Sequence, residues 1–73
     1  MKDEFVIVKT LTTRCIGYQR NRRGDLDSVF EETVQFADGT EGTVYGITYY
    51  LASGHARCGA PTRTKPRIDV AQP

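Results

Sequence analysis

The chain has 73 residues, of which 38% are hydrophobic and 26% are charged, and its formal net charge is +1 at pH 7. This length predicts one domain, close to the smallest size at which a single core folds unaided. No apolar run approaches the roughly 20 residues of a membrane span. The opening MKDEFVIVKT carries acids where a signal peptide carries positive charge. We therefore expect a cytoplasmic protein without a membrane partner.

The first third of the chain predicts two strands and a loop. Residues 4–11 carry apolar side chains at both parities, which is typical of a strand covered on both faces. Thr12-Thr13 is a weak break, and residues 14–20 predict a second strand. The polar residues 21–25 include Asn and Gly and no apolar side chain, so they predict an exposed loop.

The next segment, residues 27–36, is open to two interpretations. Ser28 and Glu31 have the spacing of a capping box, and the apolar residues around them fit helical spacing. Residues 33–36, however, alternate directly into an Asp-Gly pair. We favour a strand from about Val29, and a helix here, giving an α+β fold, is the alternative.

The stretch 34–51 predicts a β-hairpin. Asp38-Gly39 suits a two-residue type I′ turn, which needs positive φ at both central residues. With these two residues as the loop, Phe36 lies opposite Glu41 and the apolar side chains of both strands share one face. That predicted face consists of Phe30, Val34, Phe36, Tyr45, Ile47, Tyr49 and Leu51.

The rest of the chain predicts weaker structure. Gly42 and Gly46 indicate a bulge or a bend in the second hairpin strand. The apolar pattern ends after Gly54, and the last fifteen residues contain three prolines and alternating Thr and basic residues. We predict a compact β-domain at 1–58 and a flexible basic tail at 59–73.

Groups that could carry metal or covalent chemistry are few. His55 and Cys58 have an i, i+3 spacing and Cys15 would be a third ligand, but structural zinc usually takes four ligands with a close Cys pair. A Cys–His nucleophile would still need an orienting group and a pocket. No phosphate-binding glycine motif is present. We predict reduced thiols, no metal, no cofactor and no catalytic residue, hence no enzyme.

Charge is segregated along the chain. Residues 14–23 carry four arginines and no acid, residues 25–41 carry six acids and no base, and residues 57–67 are basic again. Arginine beside tyrosine suits nucleic acid, but the acidic block would repel phosphate. We therefore favour docking on a protein with complementary patches. The predicted contact residues are Arg14, Tyr18, Arg20, Arg22, Arg23, Arg63, Lys65 and Arg67.

The length, the MKDEFVIVKT-to-YYLASG core, the charge blocks and the basic TRTKPR tail together resemble a known family. They are similar to the small host-takeover proteins of bacteriophages, in particular the Xanthomonas phage type that binds host RNA polymerase. The resemblance implies a non-enzymatic transcription regulator that blocks promoter use and promotes antitermination in the host bacterial cytoplasm.

Together these observations predict a mainly β fold, a small antiparallel sheet or half-open barrel of about four strands, with one short helix in the alternative. We expect a monomer that binds a protein partner, with a bacterial RNA polymerase subunit as the first choice. The exposed N-terminal strand offers an edge for pairing with a partner segment. The alternative function is a small nucleic-acid-binding module that uses the Arg-rich loop and the tail.

Overall fold

The computed structural model describes residues 5–51 and 53–72. They form one antiparallel sheet of five strands in the order β4-β3-β2-β1-β5. The strands are β1 Ile7–Arg20, β2 Leu26–Phe36, β3 Glu41–Tyr50, β4 Ala56–Cys58 and β5 Val70–Ala71. No helix occurs in these two ranges, and so none there could cross a bilayer. The predicted mainly β fold is confirmed, as an open sheet that does not close into a barrel.

The first strand, β1, is continuous over 14 residues. Its register against β2 shifts between Ile7 and Lys9, between Thr10 and Thr12, and between Cys15 and Gly17. A bulge bends and twists a strand without ending it. The break predicted at Thr12-Thr13 was therefore wrong, because the nearby irregularity lies inside one strand. The predicted start at Glu4 lies outside the described residues.

The second strand, β2, is extended along its whole length, so the strand interpretation of residues 27–36 is confirmed and the helical alternative is wrong. β2 lies in the centre of the sheet and pairs with β1 on one side and β3 on the other. This double pairing satisfies its backbone groups and outweighs a local capping signal, because helix propensity is a weak prior against tertiary pairing.

The β2–β3 hairpin forms, but its turn is not the predicted type I′. Gly39 has φ of 89°, and none of the described non-glycine residues has positive φ, Asp38 included. The N–H of Gly39 donates to Phe36 O at 3.0 Å, and the N–H of Phe36 donates to Thr40 O at 2.8 Å. This is a type I turn followed by a glycine bulge. Asp38 favours it because its Oδ1 accepts both the N–H and the hydroxyl of Thr40.

The three-residue loop moves the hairpin register by one residue. Gln35, rather than Phe36, lies opposite Glu41, and the pairing continues without a shift to Ser28 and Thr48. A slip of one residue sends alternate side chains to the other side of the sheet. The predicted single apolar face of the hairpin was therefore wrong.

The buried side chains are instead divided between two faces. On the first face, a core cluster combines residues of β2 and β3 with two partly buried residues from the N-terminal segment; it contains Val34, Phe36, Val44, Phe5 and Ile7. On the second face, Val29 is fully buried and lies between its strand partners Gly17 and Ile47. The core cluster thus lies on the first face, and among the described residues Val29 is the buried hydrophobic residue of the second face.

The two glycines of β3 do not produce a bulge, since the β2–β3 register is regular through both. Gly42 makes room for Phe36, because a Cβ at Gly42 would lie 2.9 Å from the Phe36 ring. Gly46 has nothing within 4 Å of such a Cβ. Of the bulge or bend predicted for this strand, the bulge does not form, and the register shifts lie in β1 instead.

The segment predicted as a flexible tail, residues 59–73, pairs with the sheet over its described part, residues 59–72. Gly59 N–H donates to Ile47 O at 2.9 Å, and Thr62 exchanges two backbone hydrogen bonds with Tyr45, at 2.7 and 2.9 Å. The chain then reaches the opposite edge of the sheet, where β5 pairs with β1. Residues 59–72 therefore connect the two edges through backbone hydrogen bonds, which a polar sequence can form as well as an apolar one.

Candidate functional site

The loop between β1 and β2 carries two of the predicted contact residues. Asn21 organises it, because its Oδ1 accepts the N–H groups of Arg23 at 2.9 Å and Asp25 at 3.1 Å. The C=O of Asn21 also accepts the N–H of Gly24 at 3.0 Å. Gly24, with φ of 86°, takes a left-handed conformation that glycine adopts at no steric cost. Arg22 and Arg23 are therefore presented by an internally hydrogen-bonded turn.

Asp69 brings Arg20 and Arg67 together. Its carboxylate accepts the backbone N–H of Arg20 at 2.8 Å and the Nε of Arg67 at 2.9 Å. Arg67 Nη2 also donates to Arg20 O at 3.3 Å, and Arg20 Nη1 donates to Gly24 O at 2.7 Å. Residues that are far apart in sequence thus share one surface. We call this surface the basic end, and it consists of Arg20, Arg22, Arg23 and Arg67.

Carboxylates are interleaved with the guanidinium groups of the basic end. Besides Asp69, Asp25 Oδ2 lies 3.7 Å from Arg23 Nε. Asp27 is only 8% exposed and accepts a hydrogen bond from Asn21 Nδ2 at 3.2 Å. Exposed ion pairs contribute at most about 1 kcal/mol to stability. The alternating charges therefore bear more on partner choice, and they suit a complementary protein surface better than a phosphate backbone.

The side chains of the other predicted contact residues are not part of this hydrogen-bonded group. Arg14 lies on β1, and its Nε is 3.1 Å from Glu31 Oε1 on β2. Tyr18 is half-buried where β1 pairs with β5. Lys65 is exposed in the segment that connects the two sheet edges. Arg63 lies at the other end of β2, against the first core cluster.

Arg63 stacks on two aromatic rings. Its guanidinium carbon lies 4.7 Å from the centroid of Phe36 and 5.0 Å from that of Phe5. We expect Arg63→Ala to lower the free energy of unfolding by about 1 kcal/mol, because cation–π contacts at exposed sites contribute roughly 0.5–1 kcal/mol. Urea denaturation followed by circular dichroism measures this loss. Lys65→Ala is the matched control, and an equal loss in both variants would contradict a specific role for the stacking.

The carboxyl group of Asp69 titrates below its ordinary range. The hydrogen bond from Arg67, and after it the N–H of Arg20, hold the pKa of Asp69 below 3.8. Because the folded-state pKa is lowered, the stabilisation is complete above the unfolded-state value and is lost as the pH falls through the lowered pKa. We expect the β5 amides to lose protection from hydrogen exchange in that acidic window. Asp69→Asn should abolish this pH dependence, and its persistence in the variant would assign it to another group.

The outer side of β1 forms a second candidate surface. β5 covers only the C-terminal part of β1, while β2 pairs along its inner side. Over the chain that the structure describes, no strand pairs with the outer side at residues 7–14. Val6, Val8 and Leu11 are 65%, 59% and 40% exposed there. We call residues 6–14 the open edge. An uncovered strand with exposed apolar side chains is a template for pairing with another chain.

The histidine and the two cysteines do not meet. Cys15 is in β1, Cys58 is in β4 at the other side of the sheet, and two strands separate them. Cys58 Sγ lies 3.5 Å from the Thr48 hydroxyl, and His55 Nδ1 lies 3.0 Å from the Ser53 hydroxyl. Within residues 5–51 and 53–72, no three His, Cys, Asp or Glu side chains form a group suited to a metal ion.

Sequence reasoning missed the residues that assemble the basic end. Asp69 and Asn21 were not among the predicted contacts, yet they hold the arginines in place. One signal was available, because Asp69 is the only acidic residue after Glu41 and is two residues from Arg67. The exposure of Val8 and Leu11 carried no such signal, since an apolar residue in a strand is usually expected to face a core.

Comparisons of the chain with protein-family models, with curated proteins and with solved structures find no match.

Proposed function

We propose that this protein is a non-enzymatic regulator that binds another protein through the open edge and the basic end. The observation that supports the proposal is the open edge itself, which has three exposed apolar side chains and, among the described residues, no strand paired with its outer side. An extended partner segment that adds a strand to β1 would satisfy its outer backbone groups. The apolar side chains would then pack against side chains of the partner.

The basic end complements this edge. The guanidinium groups of Arg20 and Arg67 are held by backbone carbonyls and a carboxylate, so these two side chains lose little entropy when a partner binds. Fixed charges of both signs at one end of the sheet orient an approaching partner and raise its association rate. The open edge supplies contact area and the basic end supplies orientation.

A bacterial RNA polymerase subunit is the partner that we propose to test first. The proposal rests on the resemblance of the charge blocks and the basic tail to phage-encoded regulators. Binding to polymerase would act on transcription initiation and on termination. The acids interleaved in the basic end make double-stranded DNA a weaker candidate, because each carboxylate offsets a phosphate contact.

The experiment measures binding of the immobilised protein to purified bacterial core RNA polymerase by biolayer interferometry. We expect Val8→Lys combined with Leu11→Lys to weaken binding by about tenfold or more, since burying even one such apolar side chain contributes roughly 1.5–3 kcal/mol and tenfold is about 1.4 kcal/mol. Arg22→Glu combined with Arg23→Glu should slow association at low salt and have less effect at high salt. Unchanged binding of both variants would overturn the proposal.

A control variant, a nucleic-acid titration and a measurement of oligomeric state make the test specific. Tyr49→Lys is the matched control, because Tyr49 is exposed on β3 where β4 already pairs with that strand. It should bind like the wild type.

A polarisation titration with single- and double-stranded DNA and RNA tests the nucleic-acid alternative, and tight, salt-sensitive binding there would replace the proposal. A dimer that the Val8/Leu11 variant disrupts would assign the open edge to a second copy.

A further inference from the structure

A cleft of about 360 Å³ lies on the first face of the sheet. Its floor is formed by Phe30 and Gly46, which are cross-strand partners in β2 and β3. One wall contains Thr13 and Glu32 from β1 and β2, and the other contains Pro61 and its neighbours after β4. A volume of this size lies at the lower end of the range of small-ligand sites, roughly 300–1,000 Å³.

Gly46 keeps the floor of this cleft open. A Cβ at this position would meet no atom within 4 Å, and Gly46 is not among the glycines with positive φ. The backbone therefore does not require glycine here, and neither does a neighbouring side chain. Glycine weakens the middle of a strand and often marks a place where a ligand approaches closely. The open space above the strand is what this residue provides.

Glu32 gives the cleft its charge. The side chain is half-buried, and its Oε2 accepts the hydroxyl of Thr13 at 3.0 Å. This hydrogen bond fixes the carboxylate at the wall. Among the described residues, the carboxylate of Glu32 has no ion pair with a lysine or arginine. Its Oε1 can therefore accept a hydrogen bond from a ligand. An anion fixed beside an aromatic ring attracts a cation through charge and through the ring face.

We propose that this cleft binds an organic cation with an apolar body, such as an arginine side chain of a peptide or a small amidine. The apolar body would lie over Gly46 against Phe30, and the cationic group would donate hydrogen bonds to Glu32. The site uses neither the exposed apolar side chains of the open edge nor the basic end. It therefore stands independently of the proposed partner.

The test titrates the isotope-labelled protein with benzamidine, benzamide and benzoate, which have nearly the same shape and differ in charge. We expect benzamidine to shift the amide resonances of residues 46–48 and 58–59 in a saturable way. Benzamide should bind at least roughly fivefold more weakly, because a charge-assisted hydrogen bond is lost. Benzoate should not bind. Glu32→Gln should remove the preference for benzamidine over benzamide.

A second arm distinguishes the two sources of the cation. Acetyl-Gly-Arg-Gly-amide is compared with the same peptide containing citrulline, the neutral counterpart of arginine. Binding of the arginine peptide that is tighter than that of benzamidine indicates a peptide partner, and weaker binding indicates a small molecule. In both cases, benzamidine must bind more tightly than benzamide, and the arginine peptide must bind more tightly than the citrulline peptide. Equal binding of charged and neutral probes would overturn the proposal.

Gly46→Val tests the position of the site. A Cβ at this position meets no atom within 4 Å, and the two methyl groups of valine would project into the cleft where the ligand is proposed to lie. We expect benzamidine binding to fall by tenfold or more, with a melting temperature at least equal to that of the wild type. Thr43→Val is the control, because Thr43 is exposed on the opposite face of β3. A folded Gly46→Val variant that binds like the wild type would also overturn the proposal.

Discussion

Replacing Phe36 by alanine is expected to remove a large share of the stability of this domain. Phe36 is 7% exposed and belongs to the core cluster of the first face. Its ring meets Phe5 edge-on at 5.6 Å and lies under the guanidinium of Arg63. We expect Phe36→Ala to lower the free energy of unfolding by about 3–5 kcal/mol. The variant loses the buried area of the ring and both of its specific contacts together.

This loss is large for so small a domain. Stabilities of roughly 0.05–0.15 kcal/mol per residue give about 4–11 kcal/mol for a chain of this length. Phe36→Ala should therefore leave a measurable unfolded fraction at 37 °C. Urea denaturation followed by far-ultraviolet circular dichroism and by tyrosine fluorescence tests this. Coincident curves would show that the sheet unfolds as one cooperative unit.

Two further substitutions show how much of the stability loss in Phe36→Ala comes from the ring contacts and how much from the burial of apolar area. Phe36→Leu keeps an apolar side chain and should lose less than Phe36→Ala. Phe30→Ala removes a ring of the same size from the same strand, but Phe30 is only half-buried, so we expect a smaller effect. An equal loss at both positions would contradict the assignment of the first core to the hairpin end of the sheet.

The hairpin shows how far a local pattern determines this fold. Alternation on both sides of Asp38-Gly39 correctly predicted two strands and a turn between them. The register depended on whether one or two residues adopt positive φ, and only Gly39 does. The hydrogen bonds from Thr40 to the Asp38 side chain favour the longer loop. These bonds are local, but their effect reverses which residues of β3 face the first core.

The C-terminal segment shows the limit of such patterns. Residues 59–72 lack the apolar periodicity that would indicate a strand, and they are held largely by backbone hydrogen bonds to β1 and β3. Backbone pairing has no side-chain code, so it depends on the sheet edge that is available nearby. The composition of the basic end also depends on this backbone pairing. Clustered charge predicted the arginines of its loop, whereas only the path of this segment brings Arg67 beside Arg20.

Gly17 is the residue on which the position of this segment depends. A Cβ on Gly17 would lie 2.7 Å from Ile68 Cγ2 and 2.7 Å from the backbone oxygen of Val70. The backbone of β5 cannot move away while it keeps its pairing with β1. We therefore expect Gly17→Ala to displace β5 and to lower the free energy of unfolding by about 1–3 kcal/mol, as overpacking does. Amide hydrogen exchange at residues 69–72 should become fast, while the hairpin stays protected.

Gly46→Ala is the matched control for this prediction. Both glycines lie within strands, but a Cβ at Gly46 meets open space. There, alanine should leave stability unchanged or raise it by about 0.5–1 kcal/mol, because glycine is entropically unfavourable in a strand.

If Gly17→Ala keeps β5 protected, then the contacts of Ile68 are not what positions the segment. If β5 is released as expected, the outer edge of β1 becomes uncovered up to Arg20. A partner that adds a strand to the open edge should then bind the variant at least as tightly as the wild type.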